Sequence, residues 1–360
     1  MKKIKRKILV SWRLGGGGFT LIEIVVAIGI LVMVVGFSGV IFQRSIGSYR
    51  TSMAQAEIMR KLRVITEQLD SDFRGLRKDA PMYIWFAKGT DTKYDVNNRF
   101  DQIMFFADGD FQSTQTFNSK TVVGNVARIY YGHAHSIDPQ DKNFKNPDSL
   151  RPINRLLARR QHIFTADTTT FPAWYDFSNF IATFTWQNND YYEYDSNSLS
   201  QWQAIVNDPV NGPSYAAQVV ATCFNNRPVI NIADASTIHN LMTEGIGSFS
   251  IQWDYITRSN VTPAEAHFWW PALDPDGNPA TTNDSDFDGS SSLHRNPIGI
   301  YFNSAWPGNG WFKPDEAQGS YYPAVKPAYP KALKFVFVIY DSRGVFPNGQ
   351  TFSHIVYLGD

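Results

Sequence analysis

The chain has one cysteine in 360 residues, Cys223, so no disulfide forms within it whichever compartment its body occupies. Between Thr222 and Phe224 that cysteine reads as a small buried apolar residue. Charge is also scarce, at 18% of the chain, and the 33 basic and 33 acidic groups cancel. The cancellation hides an asymmetry. Residues 1–18 carry Lys2, Lys3, Lys5, Arg6, Lys7 and Arg13 and no acid, which leaves 27 basic against 33 acidic groups, a balance of −6. A body of that sign is a poor match for nucleic acid, whose phosphates attract clustered Lys and Arg. Signatures of common catalytic sites are missing too. There is no Gly-x-Ser-x-Gly elbow, and Gly15 to Gly18 lack the Lys-Ser/Thr pair of a phosphate-binding loop. The seven histidines are scattered, and His133 and His135 have no third ligand at zinc spacing. The expectation is a protein that is not an enzyme.

What is present is aromatic and apolar: 26 Phe, 17 Tyr and 10 Trp favour a β-rich body, and the length suffices for one large domain or two small ones. Residues 24–43 contain no charge and Arg44 ends the run. Twenty such residues in a helix match the hydrocarbon thickness of a bilayer. The run exceeds the usual apolar core of a secretory signal, and no small-residue cleavage site follows it. The basic residues before it favour a cytoplasmic N-terminus. Two features do not suit a plain anchor. Gly15 to Gly18 interrupt the helix just before the span, each costing about 1 kcal/mol relative to alanine, and so leave extended backbone open to a protease. Glu23 places an acid at the start of the span, where it calls for a partner.

The string Gly18-Phe19-Thr20-Leu21-Ile22-Glu23, followed by Ile24-Val25-Val26-Ala27-Ile28, resembles the cleavage and methylation motif of type IV prepilins and type II secretion pseudopilins. The resemblance implies that a prepilin peptidase cuts between Gly18 and Phe19 and methylates the new amine of Phe19. It also implies that Glu23 neutralises the Phe19 amine of a neighbouring subunit in a filament. Pairing removes most of the several kcal/mol that each buried charge costs alone.

Beyond Arg44 the apolar period continues through Ile46, Tyr49, Met53, Ala56, Ile58, Leu62, Ile65, Leu69, Phe73 and Leu76, and predicts an amphipathic helix to about Lys78, ended by Pro81. The expected organisation is a leader at 1–18, a transmembrane half-helix at 19–43, an amphipathic half at 44–79 and a β-rich body at 80–360. The predicted fold class is α+β, a long helical spine packed on antiparallel sheet. Alternation predicts strands at 180–186 and 249–255, each with one wet face, and a hairpin from the 333–339 and 351–358 strands. Weaker strand patterns cover 102–106, 122–131 and 156–164. Helices are expected at 236–244 and at 262–267, where Thr262-Pro263-Ala264-Glu265 makes a capping box.

Leu69-Asp70-Ser71-Asp72-Phe73-Arg74, Phe100-Asp101-Gln102-Ile103-Met104-Phe105, Val126-Ala127-Arg128-Ile129-Tyr130-Tyr131, and Tyr329-Pro330-Lys331-Ala332-Leu333 with the Asp341-Ser342-Arg343-Gly344 turn are similar to J-type minor pseudopilins. Two stretches fit that pattern poorly, 138–226 and 271–328, and both read as enlarged loops. The second contains Asp274, Asp276, Asn278, Asp284, Asp286 and Asp288 before Gly289. Oxygen ligands at alternate positions suit calcium, though Arg295 stands where an EF-hand loop has its closing Glu.

The resemblance implies a single-pass inner-membrane subunit with a periplasmic body, a minor pseudopilin that primes or caps the type II secretion pseudopilus. Its partners would be the prepilin peptidase, the I-type and K-type minor pseudopilins, the major G-type subunit and membrane lipid, with no nucleic acid. A minor type IV pilin serving adhesion, motility or DNA uptake would share the same N-terminus. A signal-anchored surface enzyme would instead retain residues 1–18.

Overall fold

A computed structural model describes residues 19–87, 99–137, 143–175, 184–207, 226–257, 266–270, 298–302, 310–312 and 330–359. The chain divides into two compact units, Met1–Met53 and Ala54–Asp360. Helix α1 (Leu21–Arg74) opens in the first and ends in the second.

In the first unit every residue from Leu21 to Met53 is exposed. Two of its hydroxyls bond within the helix, Ser38 to the Val34 carbonyl at 2.7 Å and Thr51 to the Gly47 carbonyl at 3.1 Å. Back-bonding of this kind satisfies a hydroxyl without water.

In the second unit α1 is amphipathic. Ala54, Ile58, Ile65, Leu69 and Phe73 are buried at the three- and four-residue spacing of one helix face. The helix stops at Arg74, short of the expected Lys78, because Gly75 passes tightly against a strand. Asp108 N–H donates to the Gly75 carbonyl at 2.7 Å, and a side chain at Gly75 would lie 1.8 Å from the Asp108 oxygen. Only glycine permits that approach.

The largest sheet has the order β13-β12-β1-β2-β3-β6-β7, with β9 also paired to β6. Its strands are β1 (Met82–Phe86), β2 (Gln102–Phe117), β3 (Lys120–His133), β6 (Leu156–Phe164), β7 (Tyr194–Asp195), β9 (Leu241–Glu244), β12 (Ile298–Phe302) and β13 (Gly310–Phe312). A second sheet runs β11-β10-β14-β15, from β10 (Ile246–Thr257), β11 (Ala266–Trp270), β14 (Ala332–Ile339) and β15 (Gln350–Tyr357). A small third sheet joins β4 (His135–Ile137), β5 (Phe144–Lys145) and β8 (Val229–Ile230). Among the described strands pairing is antiparallel except between β6 and β7 and between β4 and β8, which are parallel. The α+β class expected from the sequence is present, with sheets that are mixed rather than wholly antiparallel.

The buried face of α1 meets both main sheets. Phe73 stacks on Phe105 of β2 with centroids 4.1 Å apart and lies 5.6 Å from Phe335 of β14. The predicted 333–339 and 351–358 hairpin is the β14–β15 pair, in register from Ala332↔Tyr357 to Ile339↔Gln350, with Leu333, Phe335, Phe337 and Ile339 fully buried. The weaker patterns at 102–106 and 122–131 fall inside the longer β2 and β3, and 156–164 is β6.

Several expectations are corrected. The stretch 138–226, expected as an enlarged loop around the 156–164 strand, is more than a loop: it holds β6 in the main sheet as that strand pattern predicted. Its later residues cover that sheet's other face: Tyr175, Phe184 and Trp202, with α2 (Trp186–Tyr191) and α3 (Leu199–Asn207), lie over Tyr83, Trp85, Met104, Phe106 and Tyr130. The expected 180–186 strand does not reach its end, because Trp186 opens α2 under a Thr185 cap; residues 180–183 lie outside the described part. The 236–244 helix is only the short α4 (Ala235–Ile238), after which the chain pairs with β6 as β9. Ala266 and His267, expected to close a helix, begin β11, while the capping box at 262–265 lies outside the described residues. The second face of β10 is not wet: Ser248, Ser250 and Gln252 are buried, and Ser248 Oγ accepts the Arg99 N–H at 3.0 Å.

Candidate assembly site at the N-terminal helix

Phe19 and Thr20 precede the first turn of α1 without regular structure. Phe19 is 82% exposed, and Leu21 and Ile22 beside it are similarly open. Glu23 closes a reciprocal cap with Thr20. Thr20 N–H donates to Glu23 Oε2 at 2.8 Å, Thr20 Oγ1 donates to the same oxygen at 3.0 Å, and Glu23 N–H donates back to Thr20 Oγ1 at 3.3 Å. This is the Ser/Thr-x-x-Glu capping box, which satisfies two of the otherwise orphaned donors at a helix start. The carboxylate also sits at the positive end of the helix dipole. Within one chain, then, Glu23 is held against the Thr20 amide and hydroxyl. The sequence reading singled out Glu23 and missed Thr20, although the pattern Thr20-Leu21-Ile22-Glu23 is itself the signal.

From this cap onward the helix is long and apolar enough to cross a membrane. Its charge-free run and complete exposure fit a single-pass anchor. Gly18, the expected cleavage residue, lies outside the described residues, as do Cys223 and the expected calcium ligands Asp274, Asp276, Asp284, Asp286 and Asp288. Among the described residues no three His, Cys, Asp or Glu side chains are grouped so as to hold a metal. His133 is fully buried on β3, its Nε2 at 2.7 Å from the Ile246 carbonyl oxygen, and His135 packs on Phe144 with centroids 4.5 Å apart.

Buried ion pairs in the body were not legible as such in the sequence. Asp72 of α1 takes Arg159 Nε at 2.7 Å and Nη2 at 2.8 Å, and it also accepts the Tyr131 hydroxyl. Asp101 pairs with Arg99 at 2.9 Å, Asp190 with Arg160 at 2.7 Å and Asp195 with Arg128 at 3.6 Å. Burial pushes Asp190 up to about 6 against the pull of Arg160. These acids anchor one stretch of the body to another.

At the other end of the helix body, Glu57 accepts Ser342 N–H and Oγ, both at 2.9 Å, and pairs with Lys61 at 2.9 Å. Lys61 in turn donates to the Tyr340 carbonyl at 3.0 Å. Asp341 accepts the N–H groups of Arg343, Val345 and Phe346, so the Asp-Ser-Arg-Gly turn is tied to itself and to α1.

Comparison with models of known protein families, with curated proteins and with solved structures found no match.

Proposed function

We propose that the chain is a membrane-anchored pilin-like subunit that is cut after Gly18, methylated on Phe19 and assembled through α1 into a filament. The reading is supported above all by one observation: an acid, Glu23, opens a helix whose next twenty residues, 24–43, are all exposed and carry no charge. Such a surface needs lipid or other helices around it, and an acid at its edge needs a cation. A free amine four residues upstream on a neighbouring copy supplies one. Transfer of Glu23 from its Thr20 cap to that amine would couple assembly to processing, since no amine exists at Phe19 before cleavage.

Within this reading the particular role is that of a J-type minor pseudopilin of a type II secretion system. It sits in the inner membrane with its body in the periplasm. The I-type and K-type minor pseudopilins, the G-type major subunit and the prepilin peptidase are its partners.

Mass spectrometry of the N-terminal peptide from membrane-extracted protein tests the proposal. The expected peptide begins with N-methylated Phe19; a chain that still begins at Met1 overturns it.

A further inference from the structure

The sheet β11-β10-β14-β15 ends at β15, and among the described residues nothing pairs with the outer side of that strand. Leu358 N–H donates to the Lys331 carbonyl at 2.8 Å, which fixes the phase of the ladder. Alternate residues turn their backbone groups the same way, so Phe352, His354 and Val356 bond β14, while Thr351, Ser353, Ile355 and Tyr357 point N–H and C=O outward. All four are exposed, Tyr357 at 78%.

An open edge ordinarily carries a guard: a charge, a proline, a bulge or a short length. β15 has none of these. It is eight residues long, Gln350 to Tyr357 contains no Lys, Arg, Asp, Glu or Pro, and its pairing with β14 runs without a shift of register. Thr351, Ile355 and Tyr357 are strand-forming types. On the side facing α1, His354 Nε2 lies 2.8 Å from Asp70 Oδ1, and the Asp70 side chain is half exposed.

Resting on the reading of α1 as a membrane anchor, we propose that β15 takes up an extended segment of a different protein subunit as a further strand of this sheet. The segment is held by its backbone, with uncharged strand-forming side chains beside Ile355 and Tyr357 and a basic or other donor side chain beside Asp70.

A second copy of this chain does not fit. Glu57 meets Ser342 in the turn that leads into β15, Asp70 meets His354 within the strand and Lys78 meets Gly359 past its end, so α1 and β15 run the same way. Two β15 edges would pair antiparallel about a two-fold axis across the sheet, and their α1 helices would run in opposite directions although both start from one membrane. A copy offering any other edge would repeat the contact without closure and build an open array, which a subunit that primes or caps does not make.

The test is photo-cross-linking of the full chain in its own membranes, with a benzophenone side chain placed at Thr351 or at Ile355. Both sites are expected to join one segment of a different subunit, with the attachment point moving about four residues along it between them, as strand pairing requires. Ser353→Pro removes one outward N–H and none that bonds β14. It is expected to lower the adduct about ten-fold, the loss of about one backbone hydrogen bond, with the melting temperature held within a few degrees. Ser353→Ala keeps that N–H and is expected to leave the yield unchanged. No adduct, adducts between copies of this chain, an attachment point that does not move with the site, or equal yields from the proline and alanine variants would each overturn strand addition. If the proline variant melts early, the movement of the attachment point decides alone. The N-terminus of the same sample separates the two readings. Chains starting at Phe19 without adducts sink strand addition alone, whereas moving adducts on chains starting at Met1 sink the processing and leave the edge contact standing.

Discussion

Asp72 shows how much one side chain in the spine carries. It is buried, it comes from α1, and it receives the guanidinium of Arg159 and the hydroxyl of Tyr131 from two adjacent strands. Removing one partner leaves a buried charge without compensation, so Arg159→Ala is expected to cost about 3–5 kcal/mol in denaturant unfolding of the body. Asp72→Asn, which removes the charge itself, is expected to cost less. Burial also holds His133 down to about 3 and His135 to about 4, with the nearby Arg227 adding to both shifts. The sign follows from proton uptake: between pH 6.5 and 3 the unfolded chain binds a proton at residue 133 that the folded chain refuses. His133 therefore contributes stability that is fully present above pH 6.5 and is lost as pH falls toward 3. Thermal melts across that range should show His133→Gln flattening the pH dependence by about 1.4 kcal/mol per pH unit.

Elements in this fold end where a neighbour decides. The period of α1 continues through Leu76, yet the helix stops at Arg74 because Gly75 and Leu76 are taken up by Asp108 and Ala107 of β2. Gly75→Ala would drive a methyl group into the Asp108 carbonyl, and unfolding measurements should show about 1–3 kcal/mol of destabilisation although alanine is the better helix former. The Asp341 turn gives a second case. Burial pushes the Asp341 carboxyl up, but the N–H donors of Phe346, Val345 and Arg343 together hold it below its ordinary value. Glu57 ties that turn to the helix, so Glu57→Ala should speed hydrogen exchange at the Ser342 amide while leaving the amides of β14 protected.

Taken whole, the molecule pairs an exposed apolar helix with a body that has its own core. Ala54–Asp360 forms a compact unit with α1's amphipathic half inside it. A chain lacking residues 1–53 is therefore expected to stay dispersed without detergent and to melt cooperatively, and the full chain to require detergent. Light scattering and a circular-dichroism melt check both.

Residue chemistry alone located the anchor, its length and the odd acid at its edge, because an uncharged run and an acid at its start are local. It located the β14–β15 hairpin for the same reason, since alternation over eight residues needs no distant partner. What surrounds each element was settled only in three dimensions. Within 138–226 only the weak 156–164 pattern showed, because β6 there carries Arg159, Arg160 and His162, whose partners are Asp72, Asp190 and Asn189. Polar residues facing inward weaken the period that marks a strand, and their partners lie tens of residues away. The end of α1, the strand at 241–244 and the buried polar side chains of β10 belong to the same class: each depends on a contact with a distant part of the chain, and sequence spacing carries no record of it.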